Sequence, residues 1–178
     1  MKDAVFLIPK PSLVQEAVKI IDEINLFAKD IDLQGDIYEY LLSEISQSGK
    51  NGQFRTPRHI IRMIVDLVET KLGNRICDPA CGTAGFLIGA YNYILKEHTD
   101  PQNLEYDEDG APHHLTADKI VEKKRWDFLK EKTFFGYDFD TTMVRIGLMN
   151  MVLHGITNPK IRYADTLSKG FKERQAYD

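Results

Sequence analysis

Three short apolar segments that each end near an aspartate constrain the fold of this chain more than any other feature. The segments are residues 75–79, 133–139 and 160–165, which carry Asp78, Asp138 and Asp165. Segments with helical spacing separate these strand candidates, and such alternation favours a parallel sheet with crossover helices. In open α/β sheets a ligand binds outside the carboxyl ends of the strands. We therefore expect the three aspartates to share one ligand-binding edge.

Helical periodicity accounts for much of the remaining chain. Predicted helices cover residues 11–29, 36–48, 86–95, 119–131 and 140–154, and another begins at Thr56 and Pro57. Thr56 suits the N-cap of that helix and Pro57 suits its first helical position. Residues 99–118 are interpreted as a loop. A breaker-rich stretch divides the chain into an N-terminal helical segment, residues 1–50, and a second part, residues 51–178.

The composition is typical of a soluble globular protein, with 43% hydrophobic residues and a net charge of −4. No apolar stretch approaches the ~20 residues of a membrane span, and the N-terminus lacks the pattern of a secretion signal. We therefore expect a cytoplasmic protein without membrane contact. Cys77 and Cys81 lie four residues apart without a His-rich partner segment, which argues against zinc and against a disulfide framework. We expect both to be small packing residues and expect no metal site.

The segment "CDPACGTAGFL" (77–87) places small residues and two glycines between a strand candidate and a helix candidate. Such a turn lets a ligand approach backbone N–H groups and the positive end of the helix. A dinucleotide site would need G-x-G-x-x-G, with an acid about 20 residues further on, whereas Gly82 and Gly85 give G-x-x-G. A phosphate-binding loop would need Lys and Ser or Thr where Phe86 and Leu87 stand. Neither nucleotide pattern fits well.

S-adenosylmethionine fits these residues better, because it offers an ammonium group, two ribose hydroxyls and an adenine amino group. Carboxylates at successive strand ends can accept hydrogen bonds from all three. Asp78, Asp138 and Asp165 supply such carboxylates in that order. Each aspartate taken alone is also explained as a helix cap or a turn former. The ordered set favours the cofactor.

Four stretches together resemble a known family. They are "GQFRTPRHIIRMIVDLV", "DPACGTAGFLIGAYNYI", "FFGYDFDTTMVRIGLMNMVLHGI" and "YADTL". They are similar to the modification (methyltransferase) subunit of type I restriction–modification systems. The resemblance implies the first half of a Rossmann-like α/β methyltransferase sheet that depends on S-adenosylmethionine. It also implies methylation of the exocyclic amino group of adenine in double-stranded DNA, with a separate specificity subunit and restriction subunit as partners.

The resemblance assigns cofactor contacts to the positions that match the motifs of the family. These are Gln53, Phe54, Arg55, Thr56, Pro57, Arg58, Asp78, Ala80, Gly82, Thr83, Ala84, Gly85, Asp138, Phe139 and Asp165. Thr56 and the backbone around it would lie at a helix N-terminus suited to the methionine carboxylate. Asp138 corresponds to the ribose acid and Asp165 to the adenine contact. Phe139 is a candidate for stacking on adenine, with a core residue as the alternative.

Some positions depart from the pattern of the family. Arg55 stands where an aromatic residue is usual, Ala84 where glycine is commoner, and Asp138 where Glu is usual. We expect the turn to accept Ala84 if its φ angle is negative. Asn150 and His154 have family-like positions on the helix after Asp138, and we interpret both as structural residues.

The resemblance also predicts an (Asp/Asn)-Pro-Pro-(Phe/Tyr) motif that carries the chemistry, and this chain does not contain it. No two of its seven prolines are adjacent. We therefore name no catalytic residue. We expect a chain truncated before the catalytic loop, inactive alone and able to self-associate through uncovered surfaces. A cofactor-binding assembly module without turnover and a nicotinamide oxidoreductase remain as alternatives.

Overall fold

The computed structural model describes residues 10–24, 34–35, 37–38, 40–42, 56–107, 110–172 and 177–178. The described ranges contain both helices and strands. They are α1 (Pro11–Ile24), α2 (Arg58–Val68), β1 (Ile76–Asp78), α3 (Gly85–Glu97), β2 (Glu105–Tyr106), β3 (Pro112–His113), α4 (Lys123–Lys132), β4 (Phe134–Asp138), α5 (Thr141–Leu153) and β5 (Lys160–Tyr163). Within these ranges no helix is both long and apolar enough to cross a membrane.

Strand β4 is the centre of a three-stranded sheet. β1 and β5 pair with it on either side, and both pairings are parallel. The apolar residues 134–137 of β4 are buried, as expected of a central strand covered on both faces. The register pairs Asp78 with Gly136 and Asp138 with Tyr163. The predicted parallel sheet with crossover helices is therefore confirmed.

The hydrophobic core lies between the sheet and helices α3, α4 and α5. The rings of Tyr91 on α3 and Phe134 on β4 meet edge to face with their centroids 5.8 Å apart. Leu129 on α4 and Met151 on α5 are fully buried in the same cluster. Gly136 is needed at the centre of β4, because a Cβ there would lie 2.9 Å from Cys81 Sγ.

The opposite face of β4 is covered by aromatic residues from later in the chain. The ring of Phe135 lies 5.4 Å from that of Tyr177, and the ring of Tyr137 lies 5.2 Å from that of Phe171. The guanidinium of Arg75 lies 4.9 Å from the centroid of the Phe135 ring, a cation–π contact. Both faces of the central strand are thus packed.

The predicted start of α2 is wrong by one residue. Pro57 is the N-cap, with ψ 143°, and Thr56 forms no cap. The helix begins there because the Pro57 carbonyl accepts from the N–H groups of Ile60 and Ile61. α2 then packs closely on α3, where a Cβ at Gly89 would lie 2.6 Å from Ile61 Cγ2.

Residues 99–118, named here the hairpin loop, are interpreted from the sequence as a loop, and the structure adds two short strands to it. β2 and β3 pair antiparallel within it, with Glu105 opposite His113. Strands of two residues are too short to give a periodic signal. The following helix starts at Lys123 rather than at residue 119. The C-terminal parts of the predicted helices 11–29 and 36–48 lie outside the described residues.

Candidate functional site

The three strand-end aspartates lie at the carboxyl edge of the sheet. Asp78 ends β1, Asp138 ends β4, and Asp165 follows β5 by two residues. The Ala164 N–H donates to the Asp138 carbonyl at 2.9 Å, which joins the end of β5 to that of β4. Strand order β1–β4–β5 therefore brings together carboxylates that are far apart in the chain.

Each of these aspartates closes a local turn with the N–H group two residues further on. Oδ1 of Asp78 accepts from Ala80 at 3.0 Å, Oδ1 of Asp138 accepts from Asp140 at 2.8 Å, and Oδ1 of Asp165 accepts from Leu167 at 3.1 Å. The turn-forming interpretation holds for all three. These hydrogen bonds occupy only part of the acceptor capacity of each carboxylate, because each oxygen has two lone pairs and each residue has a second oxygen.

Residues 78–85, named here the glycine turn, connect β1 to α3 through two left-handed residues. Gly82 has φ 51° and Ala84 has φ 66°. The condition that we set for accepting Ala84, a negative φ angle, is therefore not met. A left-handed conformation costs an L-residue roughly 1–2 kcal/mol. Because this conformation is unfavourable for alanine, the surrounding contacts must hold it.

Strand β4 supplies two of those contacts. The Cys81 N–H donates to the Tyr137 carbonyl at 2.9 Å, and the Gly82 N–H donates to Oδ2 of Asp138 at 2.9 Å. Asp138 thus accepts hydrogen bonds at both carboxylate oxygens, one of them from the glycine turn. The side chain predicted to bind a ligand also shapes the turn that the ligand would approach.

Helix α3 begins at the end of the glycine turn. Its N-cap is Ala84, whose side chain cannot cap the helix. The N–H groups of a first helical turn have no partners within the helix, and they carry the positive end of its dipole. Backbone donors and strand-end carboxylates therefore lie side by side, which suits a ligand that has both anionic and hydrogen-donating groups.

Burial perturbs two titratable groups in this region. The pKa of Asp78 is raised, first by burial and then by the negative charge of Asp138, while the Ala80 N–H opposes the shift. Burial, with the charges of Asp78 and Asp138, raises the pKa of Cys81 to about 12. The Cys81 thiol is consequently neutral at physiological pH and acts as a small packing group. Among the described side chains, no group of three or more His, Cys, Asp or Glu could hold a metal ion.

The other residues that were predicted to contact the cofactor differ in their exposure. Phe139 directly follows β4 and is 72% exposed, so the alternative interpretation as a core residue is wrong. Thr56, Pro57 and Arg58 are exposed at the start of α2. Ala80 is exposed as well, whereas Thr83 and Gly85 are half-buried. Gln53, Phe54 and Arg55 lie outside the described residues.

Two contacts to the glycine turn were not foreseen. Oγ1 of Thr166 donates to the Pro79 carbonyl at 3.0 Å and links the segment after β5 to the turn after β1. Nδ2 of Asn150 donates to the Thr83 carbonyl at 2.9 Å. The "YADTL" motif contained Thr166, but only the fold shows its partner. Asn150 is buried as a structural residue should be, and its structural role is to hold this turn.

The sheet order, the crossover helices and the glycine turn after the first strand define a Rossmann-like α/β fold. A family model described as N-6 DNA Methylase matches residues 29–178. The chain belongs to this family.

Similar proteins come from type I restriction enzymes. The EcoEI methylase subunit of Escherichia coli is 32% identical over 173 residues, which cover 94% of this chain and 30% of that protein. The MjaVII methylase subunit of Methanocaldococcus jannaschii is 34% identical over 145 residues, covering 81% of this chain and 20% of that protein. The chain thus spans less than a third of the length of these relatives.

Solved structures are also similar to this chain. A chain from a structure on complex assembly and conformational transition of the type I R-M system superposes with a TM-score of 0.68 and 28% identity, covering 93% of this chain and 30% of that one. The crystal structure of the EcoKI M protein gives a TM-score of 0.53 and 27% identity, over 68% of this chain and 23% of that one.

Proposed function

We propose that this chain is the S-adenosylmethionine-binding part of a DNA methyltransferase that modifies the exocyclic amino group of adenine. The full protein would be the modification subunit of a type I restriction–modification system and would act in the cytoplasm. The observation that carries the proposal is the set of three strand-end aspartates beside the glycine turn. Membership of the N-6 DNA methylase family supports the type of reaction.

The chemistry of the site fits this cofactor. Asp78 would accept from the ammonium group, and a cation there would favour the charged form of a carboxylate whose pKa burial has raised. Asp138 would accept from the ribose hydroxyls with its remaining lone pairs. Asp165 would accept from the adenine amino group, and the exposed ring of Phe139 would stack on the adenine. The bound cofactor would supply the methyl group.

The first turn of α2 would complete the binding residues. Its N-terminal N–H groups, next to the exposed Thr56 and Arg58, suit the methionine carboxylate. Gln53, Phe54 and Arg55 stay in the proposal on the family resemblance alone. The proposed partners of the full protein are double-stranded DNA, a specificity subunit and a restriction subunit.

The chain alone is expected to bind the cofactor weakly and to transfer no methyl group, because it contains no Pro-Pro motif to receive a target base. A cofactor-binding assembly module without turnover is the second candidate. Self-association is also part of the proposal, since α2 exposes Met63, Leu67 and Val68. Light scattering of the purified chain tests that part.

Thermal unfolding with three ligands tests the proposed function. S-adenosylmethionine and its demethylated product should stabilise the chain, by about 2.7 kcal/mol at a concentration 100 times the dissociation constant, and NAD should not. Asp138→Ala serves as the site control and should lose the stabilisation. Stabilisation by NAD but not by S-adenosylmethionine would overturn the proposal. A tritiated-methyl transfer assay on unmodified DNA separates the methyltransferase from the assembly module when it is done on the full-length protein.

A further inference from the structure

The peptide group between Thr83 and Ala84 is held at both of its polar atoms. The Ala84 N–H donates to the Cys81 carbonyl at 2.7 Å. The Thr83 carbonyl accepts from Nδ2 of Asn150 at 2.9 Å. Asn150 belongs to α5 and lies 67 residues further along the chain. The orientation of this peptide therefore depends on a side chain from another element.

The backbone at this point needs such support. Ala84 has φ 66°, and a non-glycine residue keeps a left-handed conformation only where its surroundings over-determine it. Helix α5 comes close enough to provide this, because a Cβ at Gly147 would lie only 3.0 Å from the Gly82 carbonyl oxygen. The buried amide of Asn150 lies one helical turn after Gly147, on the same side of α5. The face of α5 that carries these two residues thus backs the glycine turn.

Packing alone does not explain an amide at position 150. The side chain is fully buried, and its Oδ1 has no hydrogen-bond partner among the residues that the structure describes. A buried acceptor without a partner is unfavourable, and a leucine has the same branched shape without such an acceptor. The carbonyl of Thr83 requires a donor, and the amide nitrogen is the atom of Asn150 that can donate. The hydrogen bond to the glycine turn is therefore what the amide contributes.

We infer that Asn150 is a positioning residue for the cofactor. By fixing the Thr83–Ala84 peptide, it sets the direction of the first N–H groups of α3, which the ligand would meet. This inference rests on the proposed function and assigns to that site a residue on α5 that acts only through the turn. The loss of the amide donor should weaken cofactor binding although the amide does not touch the cofactor.

Binding of S-adenosylmethionine by titration calorimetry gives the first test. Asn150→Leu removes the donor and keeps the branching of the side chain with two bulkier methyl groups, and we expect affinity to fall about tenfold, as for a lost hydrogen bond in a positioned site. Met151→Leu is the matched control, because Met151 is equally buried on the same helix and the change conserves its volume. Equal affinities in Asn150→Leu and the parent chain would overturn the inference.

Asn150→Asp gives a second test that a merely structural role would not reproduce. When protonated, the introduced carboxylic acid can donate to the Thr83 carbonyl; when ionised, it can only repel that oxygen. Burial raises the pKa of such an acid, so affinity should recover between about pH 8 and pH 5. The parent chain, measured over the same pH range, is the control for the other titratable groups nearby. These are His154, whose Nδ1 contacts the Asn150 backbone carbonyl, and Asp78 and Asp138. If the ratio of the affinity of Asn150→Asp to that of the parent chain does not change with pH, the inference is contradicted.

Hydrogen exchange in the ligand-free chain makes the test independent of the cofactor. Asn150→Leu should speed exchange at the Ala84 amide and leave the amides of the hairpin loop unchanged. If the parent chain does not bind S-adenosylmethionine, the proposed function fails, and the exchange rates alone decide whether Asn150 shapes the turn. If the parent binds and Asp138→Ala does not, while Asn150→Leu matches the parent in both measurements, only this inference fails.

Discussion

The glycine turn and the hairpin loop both hold non-glycine residues in the left-handed region of φ. Ala84 has φ 66° in the turn, whereas His114 and Ala117 have φ 54° and 46° in the loop. Surrounding contacts must hold such residues in either place. The two regions differ in where along the chain those contacts originate.

The hairpin loop is held by residues near its own ends. The Ala117 N–H donates to Oγ1 of Thr99 at 2.9 Å, and the Asp100 N–H donates to Oδ1 of Asp118 at 3.0 Å. In both bonds the partners lie 18 residues apart. The loop can therefore form its hydrogen bonds as a local unit.

The glycine turn is held from distant parts of the chain. Its partners on β4, on α5 and after β5 lie 56, 67 and 87 residues away, namely Asp138, Asn150 and Thr166. The turn takes its shape only when the sheet and α5 have assembled. Substitutions far from the turn should therefore alter ligand binding, whereas substitutions in the hairpin loop should have local effects.

Gly147→Val should have the largest effect of this kind. Its Cβ would lie 3.0 Å from the Gly82 carbonyl oxygen and 3.0 Å from Ile161 Cδ1. Valine has a higher helix propensity than glycine, so a loss of stability must come from crowding. We expect a fall of about 1–3 kcal/mol in urea unfolding and no measurable binding of S-adenosylmethionine. Gly170→Ala is the control, because among the described residues only Ser168 Oγ lies within 4 Å of the new Cβ, at 3.5 Å. A stable, cofactor-binding Gly147→Val chain would show that α5 does not need to approach the turn.

Asp138→Ala should weaken cofactor binding by about 1.5–3 kcal/mol, because an acceptor of two hydroxyls is lost. Unlike a residue that touches only the ligand, it should also lower the stability of the ligand-free chain, since the N–H groups of Gly82 and Asp140 lose their acceptor. Calorimetry and urea unfolding measure the two effects.

Asp118→Ala is the matched variant in the hairpin loop. Asp118 also accepts from two donors, the Asp100 N–H and Oγ1 of Thr116. The removal of its carboxylate should speed amide exchange within the loop and leave cofactor affinity unchanged. An equal loss of affinity in Asp118→Ala and Asp138→Ala would remove the distinction between the two regions.

The sequence predicted the parts of the site that depend on local signals. Apolar segments that end at Asp78, Asp138 and Asp165 indicated the strand ends, and parallel topology then placed them at one edge. The positive φ of Ala84 was not predictable in this way, because it depends on hydrogen bonds from other elements. The contact between Asn150 and the turn was missed for the same reason, since nothing near residue 150 indicates its partner.

Asp78→Asn should separate stability from ligand binding. The folded-state pKa of Asp78 is raised above its usual value of 3.8, so the folded chain holds this proton to higher pH than the unfolded chain. Between those two pKa values stability falls as pH rises, and the ionised group is unfavourable at neutral pH. Asparagine keeps an oxygen for the Ala80 N–H and carries no charge. We therefore expect a higher melting temperature at about pH 7, a difference that shrinks below the usual pKa of aspartate, and weaker cofactor binding.

The melting temperature should be measured at several pH values in both chains. A constant difference between Asp78→Asn and the parent would mean that the change acts through packing rather than through the charge of Asp78. Unchanged cofactor affinity would remove Asp78 from the proposed ammonium site.

Ala84→Gly should have the smallest effect on stability and gives the finest comparison with the hairpin loop. Glycine relieves the left-handed strain of alanine, which stabilises the folded chain by about 1–2 kcal/mol. Two losses oppose this gain: a buried methyl group worth about 0.8 kcal/mol, and about 0.5–1 kcal/mol from the larger conformational entropy of the unfolded chain. These contributions nearly cancel, so the unfolding free energy should change by less than about 0.5 kcal/mol.

Ala117→Gly replaces another buried, left-handed alanine and should give the same near-cancellation. Cofactor affinity should then distinguish them: a slight loss is expected for Ala84→Gly, because the freed turn must be ordered again on binding, and none for Ala117→Gly. The opposite order of affinities would mean that the hairpin loop, rather than the glycine turn, borders the cofactor.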